Sequence, residues 1–222
     1  MISFLNLILR VSGKLRYSVS AGFNAIANML IFKAYGVIVG HDFKSNGRPI
    51  LEMGKNAELT IGDHVRINNG NMFNRIGRQQ RCMFILGPRA KIRIGNHVGI
   101  SAAAIIAQKA VSIGDHVKIG GNVVIYDTDF HSLDFRERAK EVEAREKIGC
   151  APVVIGDNVF IGGHSTILKG ITIGAKSIIG ACSVVTKNIP SGEIWGGNPA
   201  RFIKKIEDPS HDDSPMSTPT SA

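Results

Sequence analysis

The sequence predicts an all-β solenoid in which very short strands stack coil on coil, and three observations carry that expectation. A branched apolar residue returns at every sixth position through Ile113, Ile119 and Ile125, and again through Ile155, Ile161, Ile167, Ile173, Ile179 and Val185. Most of these lead residues are followed by Gly, and two positions before each stands Val111, Val117, Val123, Val153, Val159, Ser165, Ile171, Ser177 or Ser183. The composition agrees, since 25 of 222 residues are Gly and only 6% are aromatic, which suits many tight turns better than a core of bulky rings. An amphipathic helix would return its apolar face at three- and four-residue steps, and a long strand would alternate every second residue. Three six-residue units make one triangular coil of about 18 residues with the isoleucines stacked inside.

In chain order, residues 1–50 read as a helical, amphipathic segment. Met1 to His41 carries Arg10, Lys14, Arg16 and Lys33 and no acid. The opening MISFLNLIL is too short to span a bilayer, as is the uncharged stretch Tyr17 to Phe32, because a spanning helix needs ~20 apolar residues. No basic residue precedes the apolar start, so no secretory signal is expected. Phe23, Ile26, Ala27, Leu30, Ile31 and Ala34 share one side of a helix. That side is expected either to pack on its own protein or a partner subunit, or to lie on an anionic membrane surface with Arg10, Lys14 and Arg16 near the headgroups.

Residues 51–206 form the expected solenoid domain, with coils from about Leu51 to Thr186, roughly five in number. Eight-residue steps replace six-residue ones from Met53 to Ile61, Leu86 to Ile94 and Ile105 to Ile113, as if one corner held two extra residues. Asn71 to Cys82 breaks the period and reads as a loop. The larger interruption, residues 126–152, carries DTDFHSLDFRERAKEVEAREK and reads either as a functional loop or as a solvated helix hairpin. Ala200 to Glu207 is expected as a short closing helix, and residues 207–222 as a disordered acidic tail.

The formal charge of +9 leaves nucleic acid, anionic lipid and a phosphate-rich cofactor all open. Cys82, Cys150 and Cys182 form an odd, widely spaced set without CxxC, which favours a reducing compartment. No GxxxxGK[ST], GxSxG or GxGxxG motif opens a phosphate-loop, hydrolase or dinucleotide reading, and no His/Asp/Glu cluster has metal-site spacing. His64, His97, His116 and His164 fall in or beside repeat turns and read as surface residues. His131 instead sits in the nonrepeating loop among Asp127, Asp129 and Asp134, where an imidazole can act as a base while a carboxylate or carbonyl fixes its tautomer.

The period, the interrupting loop and the ending VIGDNVFIGGHSTILKGITIGAKSIIGACSVVTKNIPSGEIWGGNPARFI resemble the hexapeptide-repeat acyltransferases, nearest the maltose, galactoside and cell-surface polysaccharide O-acetyltransferases. The resemblance spans about Leu51 to Ile206 and implies a left-handed parallel β-helix, a homotrimer with sites between subunits, and acetyl-CoA as donor without a metal. It makes His131 the base that takes a proton from an acceptor hydroxyl, with Asp129 and Asp134 as candidate carboxylate partners. Gly163 and Ala181 match positions whose backbone contacts the CoA arm, and Lys187, Arg201 and Lys204 are candidates for its phosphates, with Trp195 lining the groove or packing the C-terminal segment.

Two departures bear on the acceptor. Ala103 stands where such enzymes carry an acceptor-binding asparagine, so Ser101, Asn68, Asn69 and Arg136 become the candidate acceptor contacts. Phe160 replaces a common Trp, keeping an apolar wall but losing its N–H donor. The resemblance implies O-acetylation of a sugar, lipid-linked glycan or cell-surface polysaccharide precursor, in the cytoplasm or peripherally at the inner membrane surface, with no nucleic-acid partner. The alternatives are N-acylation of an amino sugar and a noncatalytic β-helix scaffold.

Overall fold

The computed structural model describes residues 2–74 and 81–207. The expected tail beyond Glu207 lies outside the described residues, as do the side chains of Arg10, Lys14 and Arg16. The chain opens with one helix, α1 (Ile2–Ala34), and then winds around three parallel sheets. Sheet one stacks β1 (Ile38–Val39), β4 (Glu58–Ile61), β7 (Lys91–Ile94), β10 (Ala110–Ile113), β13 (Val153–Ile155) and β16 (Thr172–Ile173). Sheet two stacks β2 (Lys44–Asn46), β5 (Arg66–Asn68), β8 (Gly99–Ser101), β11 (Lys118–Ile119), β14 (Phe160–Ile161), β17 (Ile178–Ile179), β19 (Glu193–Gly196) and, antiparallel at its edge, β20 (Arg201–Lys205). Sheet three stacks β3 (Ile50–Met53), β6 (Met83–Leu86), β9 (Ala104–Ala107), β12 (Val124–Tyr126), β15 (Thr166–Ile167) and β18 (Val184–Val185).

Each sheet aligns its lead residues into one buried column. Ile61, Ile94, Ile113, Ile155 and Ile173 pair in register on sheet one, and Ile67, Ile100, Ile119, Ile161 and Ile179 on sheet two. The residues two places earlier are buried as well, including Ser165, Ser177 and Ser183. Ser165 and Ser183 donate to the Gly180 carbonyl, and Ser177 to that of Pro190, so these inward hydroxyls are satisfied.

The corner from sheet one to sheet two explains the Gly-Asp dipeptide. Asp63, Asn96, Asp115 and Asp157 each accept the backbone amide of an earlier coil, with His41, Asp63, Asn96 and Asp115 donating over 2.6–2.8 Å. Coils approach so closely there that a Cβ on Gly156 would meet the amide nitrogen of Ala175 at 2.7 Å, which only Gly avoids. The next residue adopts left-handed φ, as at His64, His97 and His116, whose exposed rings stack 4.6 and 4.7 Å apart. All eight-residue steps fall at the corner from sheet three to sheet one, and loop 126–152 is inserted at that corner too.

Two features differ from expectation. The coils begin with β1 rather than near Leu51, giving six strands to each of sheets one and three. The first coil escapes the period because Ser45 and Asn46 stand where later coils carry an inward isoleucine and its neighbour. Its open end is closed by α1, where Phe32 is buried beside Phe43 and the buried Asn28 amide donates to the carbonyls of Ser45 and Gly47. The closing helix expected over Ala200 to Glu207 is instead β20, which pairs antiparallel with β19, because the free edge of sheet two offers hydrogen bonds that a short helix could not satisfy. On α1 the stripe of Phe23, Ile26 and Leu30 is largely exposed, with the Arg48 guanidinium lying over the Phe23 ring at 5.2 Å. No described helix is long and apolar enough to cross a membrane.

Candidate active site

The inserted loop is clamped at its base. The buried Asp127 carboxylate accepts the amides of Gln108, Lys109 and Ala110, each at 2.7 Å, while Asp127 and Asp129 pair through the backbone with Ala151 and Gly149. Inside the loop Asp134 caps the one-turn helix Phe135–Arg138, and Arg138 donates to the Ser132 carbonyl at 2.6 Å. Glu137 is buried and accepts Lys140 and the Ala144 amide. The insertion is therefore a tied, folded loop rather than a helix hairpin.

That framework presents His131. Its Nδ1 lies 2.5 Å from Glu143 Oε1, and the other oxygen of Glu143 accepts the Ser132 amide at 2.7 Å. The imidazole is 71% exposed and the glutamate only 14%. The Ser132 amide, and then the imidazole, hold the Glu143 carboxyl below the usual carboxylate range. An ionised carboxylate only accepts, so Nδ1 carries a proton, and in the neutral ring Nε2 is then the nitrogen that keeps its lone pair. Phe130, just before it, has a left-handed φ of 63°, an unusual conformation for a bulky residue and one that fixes the chain direction into His131.

Several expected residues have other work. Asp129 pairs with Lys169 at 3.2 Å and Asp134 with Arg136 at 3.1 Å, so neither carboxylate holds His131. The reason is local geometry: Asp129 belongs to the clamped base and Asp134 is committed to its helix cap. Arg136 is thereby engaged within the loop. Asn69 is buried, with its amide donating to Asn46 and accepting from Cys82, so it is a structural tie rather than an exposed acceptor contact. Asn68 accepts from Asn46 and pairs beside Ser101, both half-buried. Ala103 is core, and Trp195 packs against that core with its N–H on Glu193 and its ring edge-on to Phe202. Lys187, Arg201 and Lys204 are exposed towards the C-terminal end.

Gly163 and Ala181 belong to successive coils at the corner from sheet two to sheet three. A Cβ on Gly162 would meet the Ala181 nitrogen at 2.5 Å, and Gly163 accepts Cys182 at 2.9 Å. Asn68 and Ser101 end their strands at this same corner, whereas the loop of His131 leaves the next one. One chain therefore divides the expected set between two edges of the prism. Glu143 carries no sequence signal, since twelve residues separate it from His131 without any repeat or motif to join them.

Family models described as Bacterial transferase hexapeptide (six repeats) and Hexapeptide repeat of succinyl-transferase match residues 152–187 and 91–127. The galactoside O-acetyltransferase of Escherichia coli strain K12 is 39% identical over 104 residues, covering 47% of this chain and 48% of that protein. The chain spans about half the length of the curated relatives it matches. A hexapeptide-repeat acetyltransferase of Vibrio cholerae is 27% identical, with 90% of each chain covered and a TM-score of 0.56, and it has also been solved with acetyl coenzyme A. An N-acyltransferase of Bacillus cereus, 19% identical with a TM-score of 0.61 over 78% of this chain and 88% of that one, shares the fold.

Proposed function

We propose that this hexapeptide-repeat chain, a relative of acetyltransferases, transfers an acetyl group from acetyl-CoA to a hydroxyl of a sugar or cell-surface polysaccharide precursor. The observation that carries the reading is the His131–Glu143 pair on the projecting loop. Nε2 removes the proton of the acceptor hydroxyl, the oxygen attacks the thioester carbonyl, and the CoA thiolate leaves and takes up a proton as the tetrahedral centre collapses. The Glu143 carboxylate orients the ring and stabilises the imidazolium formed on the way. Gly163 and Ala181, small and closely stacked, suit the approach of a pantetheine arm, while Lys187, Arg201 and Lys204 supply cations for its phosphates.

The division of these residues between two prism edges favours assembly as a homotrimer, so that the loop of one subunit reaches the corner of its neighbour. The test is CoA release with acetyl-CoA and a hydroxyl acceptor. His131→Ala should lower turnover by about 100- to 10,000-fold while the coils stay folded. Near-parental turnover in a folded variant would refute the assignment. Base-lability of the product separates an O-acetyl ester from an N-acetyl amide.

A further inference from the structure

A cleft of about 390 Å³ opens at the base of loop 126–152, between the loop and the corner where it is inserted. Its lining includes Arg89, Lys109, Arg145, Gln108, Thr128 and Phe130, and no carboxylate. Some neighbouring cations are matched with acids, Arg136 with Asp134, Lys140 with Glu137, Lys169 with Asp129 and Lys91 with Glu58, while Arg138 is spent on the Ser132 carbonyl. Arg89, Lys109 and Arg145 have no ion-pair partner among the described residues. Asp127 lies beneath and also meets the Cys150 thiol; its carboxylate keeps its charge but accepts three backbone amides, which fix the 108–110 turn and with it the start of the Lys109 side chain. Lys109 reaches the Cys150 carbonyl at 3.0 Å, so its ammonium is held across the cleft while keeping donors to spare. Cys150 itself stays a neutral thiol, since burial pushes it up to about 11.

We propose that this cleft binds the phosphate or diphosphate ester of the acceptor, so that the hydroxyl to be acetylated belongs to a phosphate-linked sugar rather than a neutral one. The volume falls at the lower end of small-molecule sites, which run from ~300 to 1,000 Å³, and suits a sugar phosphate whose carrier remains outside. The cations give an anion charge-assisted hydrogen bonds at a half-enclosed position, while Phe130 joins the cleft directly to His131 in the chain. The inference rests on the proposed transfer reaction for the role of the bound ester, though not for its binding. A sugar diphosphate linked to a nucleotide and one linked to a polyprenyl lipid present the same chemistry to these residues.

The test uses the full chain saturated with CoA, so that sites for the cofactor phosphates are filled, and calorimetric titration with inorganic pyrophosphate. Lys109→Gln and Arg145→Gln should each weaken pyrophosphate binding by about ten-fold or more, with Lys176→Gln, on a distant turn, unchanged. Titration with UDP-glucose and with phosphatidylcholine vesicles carrying polyprenyl diphosphate then distinguishes a nucleotide carrier from a lipid carrier. Absence of pyrophosphate binding, or equal affinity in the folded Arg145→Gln variant, overturns the cleft. If His131→Ala abolishes turnover on a neutral sugar while pyrophosphate is ignored, the transfer reading stands and the cleft fails. If pyrophosphate binding depends on Arg145 but no CoA is ever released, the cleft stands and the transfer reading fails.

Discussion

Glu143→Gln isolates the positioning of the base from the base itself. The side chain keeps its size and can still accept the Ser132 amide, but it loses the charge that makes Nδ1 of His131 a donor. Its amide can also turn its NH2 towards the ring, which would put the proton on the wrong nitrogen. The group that orients a metal-bound histidine from behind is worth about 10- to 100-fold, and the buried carboxylate of a Ser-His-Asp triad up to about 10,000-fold. Here the ring is 71% exposed, so water can replace part of the lost contact, which puts the expected fall in kcat at roughly ten-fold, with KM for the acceptor little changed. The deciding measurement is a double-mutant cycle on CoA release. Once His131→Ala has removed the base, adding Glu143→Gln should cost almost nothing more, because the carboxylate acts only through the imidazole. Losses that multiply, or a folded Glu143→Gln enzyme of full activity, would refute the positioning argument.

Ile173→Ala removes a fully buried side chain from the sheet-one column and should cost about 2–5 kcal/mol, whereas Lys176→Glu on the adjacent exposed turn should stay within about 0.5 kcal/mol, as compared by denaturant unfolding. Asp127→Ala strips the acceptor from three amides and should destabilise by roughly 3 kcal/mol or more, with hydrogen exchange of residues 108–110 and of the loop rising together. Glu143, Glu137 and Asp134 are all held below their usual range, so their stabilisation of the loop is complete above the ordinary carboxyl values and is lost as pH falls through the lower, folded ones. Hydrogen exchange, corrected for its intrinsic pH dependence, should therefore open the loop between about pH 5 and still lower pH before the coils loosen, and Glu143→Gln should remove only part of the effect. Light scattering should give a mass about three times the 23.9 kDa of the chain, and an active monomer would exclude a site shared between subunits.

The coils were legible because a solenoid repeats its contacts at fixed separation. Once Ile113 and Ile119 are placed inward, register carries the assignment to Ile155, Ile161 and Ile173, and the eight-residue steps locate one corner. The first coil was not legible, since its inward Ser45 and the cap supplied by Phe32 and Asn28 have no periodic counterpart. The closing strand β20 has no sequence signal for a related reason: a charged pentapeptide chooses strand when a sheet edge is available, and the edge is a tertiary fact. Within the loop, His131 stood out by position, while its partner could not. Asp129 and Asp134 were nearer in sequence and chemically as suitable as Glu143, and only the clamp and the helix cap exclude them.

Those exclusions bear on how a mobile type of element can hold a precise group. A loop of this length would lose orientation if His131 depended on one contact, because each ordered residue opposes about 1–2 kcal/mol of backbone entropy. The ties instead form a graded path from the rigid coils outward. Asp127 fixes the neck to the preceding coil, Asp129 fixes it to Lys169 of the following one, Arg138 draws the tip back onto Ser132, and Glu143 joins Ser132 to the imidazole. Substitutions nearer the neck should consequently disturb binding, loop order and turnover together, whereas those at Glu143 should change turnover with the neck intact. That separation of effects follows from the order of the contacts along the loop, and it would vanish if His131 were positioned chiefly by a neighbouring subunit.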